Sequence, residues 1–135
     1  MAIERINPAG LMEPKGYAHA VAATGGRTVY IAGQGPYDAA GNLVGEGDHY
    51  AQTRQTMANL LTTLAAAGAT PADVVKMTIY VVGLDAAALG AFVRAVRDAT
   101  EGQPMPPTAS TMVGVEKLAW DPMLIEIEAV AVTEK

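Results

Sequence analysis

Near the end of the chain, Glu126 and Glu128 stand two residues apart in the run Leu124-Ile125-Glu126-Ile127-Glu128-Ala129-Val130-Ala131-Val132. With a period of two, both carboxylates share one strand face with Leu124, Val130 and Val132, while Ile125, Ile127, Ala129 and Ala131 share the other. In an antiparallel sheet with one wet face, both glutamates would be solvent-facing charges. Their apolar face-mates allow a different chemistry. A glutamate pressed against apolar neighbours at a subunit interface has its pKa raised by desolvation, as a general acid or base requires. Tyr17 offers a phenol that could orient a substrate, or a partly buried core ring at the start of a strand. Gly33, inside a strand-like run, marks a bulge or a close approach by a ligand or a second backbone. Of the histidines, His19 sits in an apolar strand and His49 in the first turn of a helix, where imidazoles are more often structural than catalytic.

The elements that must position these groups follow from periodicity and turn chemistry. Tyr17 to Gln34 reads as a hairpin: two strand-like runs separated by Gly25-Gly26, a turn signal free of Cβ clashes at positive φ. Tyr37 to Gly47, rich in Gly, Asp and Asn, reads as a surface loop. Asp48 caps a helix running to about Ala67, with Gly68 as its C′ residue. Its apolar stripe is Tyr50, Met57, Leu60, Leu61 and Leu64. Thr70-Pro71-Ala72-Asp73 opens a short helical turn with proline at N1. Val74 to Val82 is apolar on both faces and therefore a central strand. Asp85 caps a second helix closed by Gly102, with Leu89, Phe92, Val93 and Val96 as its expected buried stripe. The run Gln103-Pro104-Met105-Pro106-Pro107 excludes helix and central strand. Thr108 to Val115 and Leu124 to Val132 supply the last two strands. The order β-β-α-β-α-β-β makes an α+β domain, a mixed sheet with two helices on one face.

Composition narrows the function. The chain has 135 residues, which fits one domain spanning residues 1–135. Half the residues are hydrophobic and 17% charged, which excludes disorder. A formal net charge of −5 works against nucleic-acid binding, because phosphates need a basic face to displace their counterions. No cysteine is present, so thiolate metal sites, disulfides and a cysteine nucleophile are absent, and two histidines can supply only part of a metal site. There is no Walker loop, nucleophile elbow or His-Glu-x-x-His run. The first residues lack the pattern of a signal peptide and no run is long enough to span a membrane, so a cytoplasmic protein is expected. The mean hydropathy of +0.19 is high for a short acidic domain, and the excess reads as apolar surface reserved for subunit contacts.

Several ordered segments together resemble a known family. They are Asn7-Pro8, Gly16-Tyr17 with Ala20-Val21, Val29-Tyr30-Ile31-Ala32-Gly33-Gln34-Gly35-Pro36, Asn59-Leu60, Leu64, Ala67-Gly68-Ala69, Asp73-Val74-Val75-Lys76, and Ile125 through Val132. The whole is similar to the Rid superfamily, the RidA/YjgF reactive-intermediate deaminases, over nearly its full length. That resemblance implies a chorismate-mutase-like fold and a homotrimer with ligand clefts between subunits. For the active branch it also implies cofactor-free hydrolysis of 2-enamine or 2-imino acids to 2-keto acids and ammonia. Position by position, Tyr17 matches the family's cleft tyrosine and Gly33 the glycine whose backbone approaches the ligand. Glu126 matches the carboxylate that positions or activates water.

The departures are equally specific. Where the family carries an arginine that clamps the substrate carboxylate, the run Thr108-Ala109-Ser110-Thr111 places Ser110. Ala32 replaces a cleft serine, and Ala91 aligns with an asparagine. A serine offers one neutral hydroxyl in place of five donors and a full charge. Losing that contact costs on the order of a hundredfold in rate on the usual 2-imino acids. The loop from Lys117 to Met123 is longer than the common pattern and carries Trp120, either tucked onto its own subunit or walling a less polar cleft. Two functions follow. One is a deaminase of the arginine-lacking branches, with Glu126 holding water and Tyr17, Gly33, Ser110 and Trp120 on the substrate. The other is a non-catalytic trimer whose clefts bind a small metabolite. Neither needs a metal, a cofactor, nucleic acid or a membrane. A third activity, the ribonuclease of some relatives, is disfavoured by the acidic charge.

Overall fold

The computed structural model describes residues 2–103 and 105–134; Met1, Pro104 and Lys135 lie outside them. In chain order the strands are β1 (Ala2–Ile6), β2 (Ala20–Thr24), β3 (Arg27–Gln34), β4 (Val74–Val82), β5 (Ala109–Val115) and β6 (Ile125–Thr133). Helix α1 (His49–Ala66) lies between β3 and β4, and α2 (Ala86–Ala99) between β4 and β5, with a 3-10 turn at Pro71–Asp73. The expected α+β order is present, with β1 added before it.

Four strands form one mixed sheet in the order β3-β6-β4-β5. β6 runs antiparallel to both neighbours, and β4 and β5 are parallel, the pair that the α2 crossover joins. β4 lies between β6 and β5, the central position expected of it, but its second face is not covered as its apolar character suggested: Lys76 is exposed and Thr78 and Tyr80 are only partly buried. The alternation along β6 holds: Ile125, Ile127, Ala129 and Ala131 are buried, Glu126 half-buried and Glu128 exposed. The buried side meets Met57, Leu60 and Leu64 of α1, each fully buried, to make the core.

Both helix starts are set by aspartate. The Asp48 carboxylate accepts from the Ala51 amide at 3.0 Å, and that of Asp85 from the Ala88 amide at 2.8 Å. Gly68, at φ +76°, ends α1 where the left-handed conformation is needed.

Three expectations change. The turn at Gly25-Gly26 is present with positive φ at both residues, but β2 pairs with β1 rather than β3, so the two runs do not form a hairpin ladder. Tyr17 precedes β2 instead of starting it. The buried stripe of α2 is Ala88, Ala91 and Ala95, with Phe92 and Val96 partly buried and Leu89 and Val93 exposed. Small residues let α2 pack closely against α1, which turns the larger side chains outward. Among the described residues no helix is long and apolar enough to cross a membrane.

Candidate functional site

The face of the sheet away from the helices carries Glu126. Register places Tyr80 opposite Glu126 and Thr78 opposite Glu128, and all four side chains share this face. The two glutamates differ in surroundings. Glu128 accepts a hydrogen bond from the Tyr80 hydroxyl, which raises the phenol's pKa; the neighbouring carboxylate charges add to that rise. The Glu126 carboxylate accepts no hydrogen bond among the described residues. Desolvation holds its carboxyl above the ordinary carboxylate range, and repulsion from Glu128 adds to the shift.

Gly33 explains how that carboxylate is seated. The register between β3 and β6 shifts at a bulge between Ile31 and Gln34. A Cβ on Gly33 would lie 2.3 Å from Oε2 of Glu126 and 2.7 Å from its Cδ. The bulge expected at this glycine is present, and the group that approaches it closely is the Glu126 side chain in place of the expected ligand or second backbone. Beside them, Tyr30, Lys76, Thr78, Glu128 and Val130 line an open cavity of about 240 Å³. Tyr30 is 81% exposed.

The opposite face carries Tyr17 and Ser110. Register sets Ser110 beside Met77, on the side facing the helices, so its side chain points away from that of Glu126. The Ala18 amide donates to the Thr108 carbonyl at 2.9 Å, which brings Tyr17 to the start of β5. The Tyr17 ring meets His19 edge-on, with centroids 5.4 Å apart. His19 in turn is held at 2.8 Å from the Met12 carbonyl through Nε2 and by its amide on Asn7 Oδ1 at 2.9 Å. His19 thus braces the tyrosine loop. Tyr17 and Ser110 line a cavity of about 300 Å³ together with Lys15, Met77, Phe92 and Met112. The Ser110 hydroxyl is buried without a hydrogen-bond partner.

The remaining candidates lie elsewhere. Trp120 is 65% exposed and lines a separate hollow with Tyr37 and Gly41. Ala91 lines a hollow with His49, Asp85 and Arg94, and the His49 ring is bonded at 2.7 Å to the Val82 carbonyl. Among the described residues no three His, Asp or Glu side chains gather as a metal site.

Sequence reading missed the residues that align these parts. Gln52, fully buried on α1, donates to the carbonyls of Gly45 at 3.1 Å and Pro122 at 2.9 Å, and accepts from the Leu124 amide at 2.7 Å. Two turns on, Asn59 donates to the carbonyls of Gly35 and Tyr37, both at 2.8 Å. One helix face therefore grips the chain just before Glu126 and just after Gly33. Polar residues at helix positions of core spacing were the available signal.

The chain matches the family model described as Endoribonuclease L-PSP over residues 10–133. It is 36% identical to the RutC family protein PH0854 of Pyrococcus horikoshii, covering 87% of each chain. The crystal structure of YyfB, a Rid-family protein of unknown function from Yersinia pestis, is 44% identical and superposes with a TM-score of 0.87, covering 98% of this chain and all of that one. Rv2704 of Mycobacterium tuberculosis, of the YjgF/YER057c/UK114 family, is 30% identical with a TM-score of 0.62, again over 98% of this chain and all of its own.

Proposed function

The chain belongs to the Rid superfamily, and from that premise we propose that it is a hydrolytic enamine or imine deaminase acting on a non-standard small metabolite in a cleft between subunits. The observation that carries the reading is the Glu126 carboxylate, seated where Gly33 has no Cβ, unpartnered, and pushed up by desolvation. A carboxyl raised by desolvation is suited to taking and returning a proton. In the reaction, water held by Glu126 adds through its oxygen to the imine carbon. Glu126 takes the water proton and passes it to nitrogen. Glu126 then relays the carbinolamine's hydroxyl proton to nitrogen as the C–N bond breaks, releasing ammonia and leaving the carbonyl of a keto acid. Tyr17 and Ser110 orient the substrate from the other side of the cleft. Because Glu126 and Ser110 point to opposite faces of one sheet, the reading requires a second copy of the chain, and we take the assembly to be a cytoplasmic, cofactor-free homotrimer. The acidic charge and the carboxylates on the open face oppose the ribonuclease reading.

The test is ammonia release from freshly generated 2-aminoacrylate and 2-aminomuconate, with the oligomer sized by light scattering. Release with either substrate from a trimer supports the reading. A second reading, a trimer that binds a metabolite without turning it over, is favoured by one observation: the neutral Ser110 at the family's arginine position. Tight ligand binding with no ammonia would establish it instead.

A further inference from the structure

Among the described residues, four buried side-chain polar atoms have no hydrogen-bond partner, and three of them belong to residues that meet at the start of β5: Nη2 of Arg5, Oγ1 of Thr108 and Oγ of Ser110. Thr108 and Ser110 stand two residues apart as the chain enters β5, and so face one side of it. Arg5 comes to them from β1. Its Nε donates to the carbonyl of Pro107, the residue before Thr108. Nε and Nη2 are neighbouring prongs of one planar fork, so the free prong sits beside the bonded one. A carbonyl satisfies one N–H but does not neutralise the cation. Among the described residues no carboxylate pairs with Arg5. A half-buried guanidinium without a counter-charge is costly, and a buried donor without an acceptor adds to that cost. The other arginines are committed elsewhere. Arg54, Arg94 and Arg97 gather around Tyr50 and Asp98, and Arg27 donates to the Ala67 carbonyl at the end of α1.

We propose that Arg5 supplies from β1 the charge that Ser110 lacks on β5, and that it is the residue which decides whether this site takes an acid. The proposal deepens the deaminase reading and rests on it for the anion being the substrate's carboxylate. The Arg5 fork turns from the Pro107 carbonyl to the carboxylate, trading a neutral acceptor for a charged one, and the hydroxyls of Ser110 and Thr108 donate to the same group. A guanidinium on β1 reaches a carboxylate from a different direction than one on β5. The site therefore keeps its demand for an acid while changing which acid fits.

Calorimetry tests this through equilibrium binding, without turnover, of 2-oxobutanoate and its methyl ester. The wild-type protein should bind the acid about tenfold more tightly than the ester. Arg5→Gln keeps an amide donor for Pro107 and removes the charge, so it should bind acid and ester alike. Adding Ser110→Arg to Arg5→Gln should restore the preference to about tenfold. Ser110→Arg alone should add less than about twofold, because two guanidinia would converge on one seat. The proposal is overturned if the wild-type protein does not prefer the acid, or if Arg5→Gln retains the preference. A loss that Ser110→Arg does not restore overturns it too, and marks Arg5 as a clamp on Pro107 alone. Should Arg5→Gln not fold, Ser110→Arg decides: a gain of about tenfold would mean that the site had no cation of its own. Failure here is separable from failure of the deaminase reading. Acid preference carried by Arg5, in a protein releasing no ammonia from any imine, sinks the enzyme and keeps this residue's role. Ammonia release from a 2-imino acid at the wild-type rate in Arg5→Gln does the reverse.

Discussion

On one face of the four-stranded sheet, Met77, Ile79, Ile127 and Ala129 are buried beneath the helices; on the other, Tyr30, Thr78, Tyr80 and Glu128 lie under no helix. The first face ends, toward β5, in the apolar cavity of Tyr17, Ser110 and Lys15. The second carries Glu126, cradled by Gly33. A strand alternates strictly, so no local rearrangement moves Ser110 to the face of Glu126 without turning β5 over and exposing its buried residues. The contrast teaches that the groups proposed to orient the substrate and to handle the proton are made by different parts of the fold. They meet only if two chains pair unlike faces.

The sharpest test of the contrast lies within the second face. Glu126 and Glu128 share a strand and a charge, but only Glu126 is desolvated and unpartnered. Glu126→Gln keeps the shape and removes the base, and should lower the turnover of a true substrate by about a hundredfold or more. Glu128→Gln should lose little. Equal losses in ammonia-release assays would reduce the pair to shared surface charge.

A second test joins the faces across chains. Tyr17→Phe should lower turnover by about tenfold through loss of one orienting hydrogen bond. When Glu126→Gln and Tyr17→Phe chains are co-expressed in equal amounts, about a quarter of the clefts receive both native residues from different chains. Activity should recover to about that fraction. If both residues serve one site within a chain, the mixture shows only the average of its parents.

Gln52 holds the second face in place from the helix side. Gln52→Leu keeps the volume but removes the bonds to the Gly45 and Pro122 carbonyls and from the Leu124 amide, and should cost about 2 kcal/mol in denaturant unfolding. A loss no greater than that of an exposed α1 substitution would mean that water replaces these bonds freely.

The parts of this arrangement that were legible in the sequence are those governed by local rules. Asp48 and Gly68 bounded α1, and period-two alternation placed Glu126 on the less buried face of β6. Gly33 could be marked as a close approach, though not to which group. What was not legible depended on partners distant in sequence. β2 took β1 as its partner in place of β3, which left Tyr17 outside the strand, on a loop fixed by His19 and Asn7. Ala88, Ala91 and Ala95 displaced Leu89 and Val93 from the buried side of α2, because the spacing between two helices decides which stripe fits. Gln52 breaks the apolar pattern for hydrogen bonds to backbone groups 70 and 72 residues away.

The smallest expected effect is a pH dependence, and the Glu128→Gln variant separates desolvation from simple repulsion at Glu126. Its carboxyl is held above the ordinary range, so the folded chain keeps the Glu126 proton to higher pH than the unfolded chain does. Where the folded state binds more protons, stability falls as pH rises. The cost of ionising Glu126 is absent below the unfolded carboxylate value, about pH 4.3, and fully present once pH passes the raised folded value. Glu126→Gln carries no such cost, so its Tm relative to wild type should climb in favour of the variant as pH is raised through that window. Glu128→Gln removes only the lesser cause, the neighbouring charge, and leaves the desolvation that comes first. The window should therefore narrow in Glu128→Gln without closing. A Tm difference between Glu126→Gln and wild type that stays flat across the window would mean that Glu126 is hydrated like Glu128, and the two faces would then differ in packing but not in acid–base chemistry.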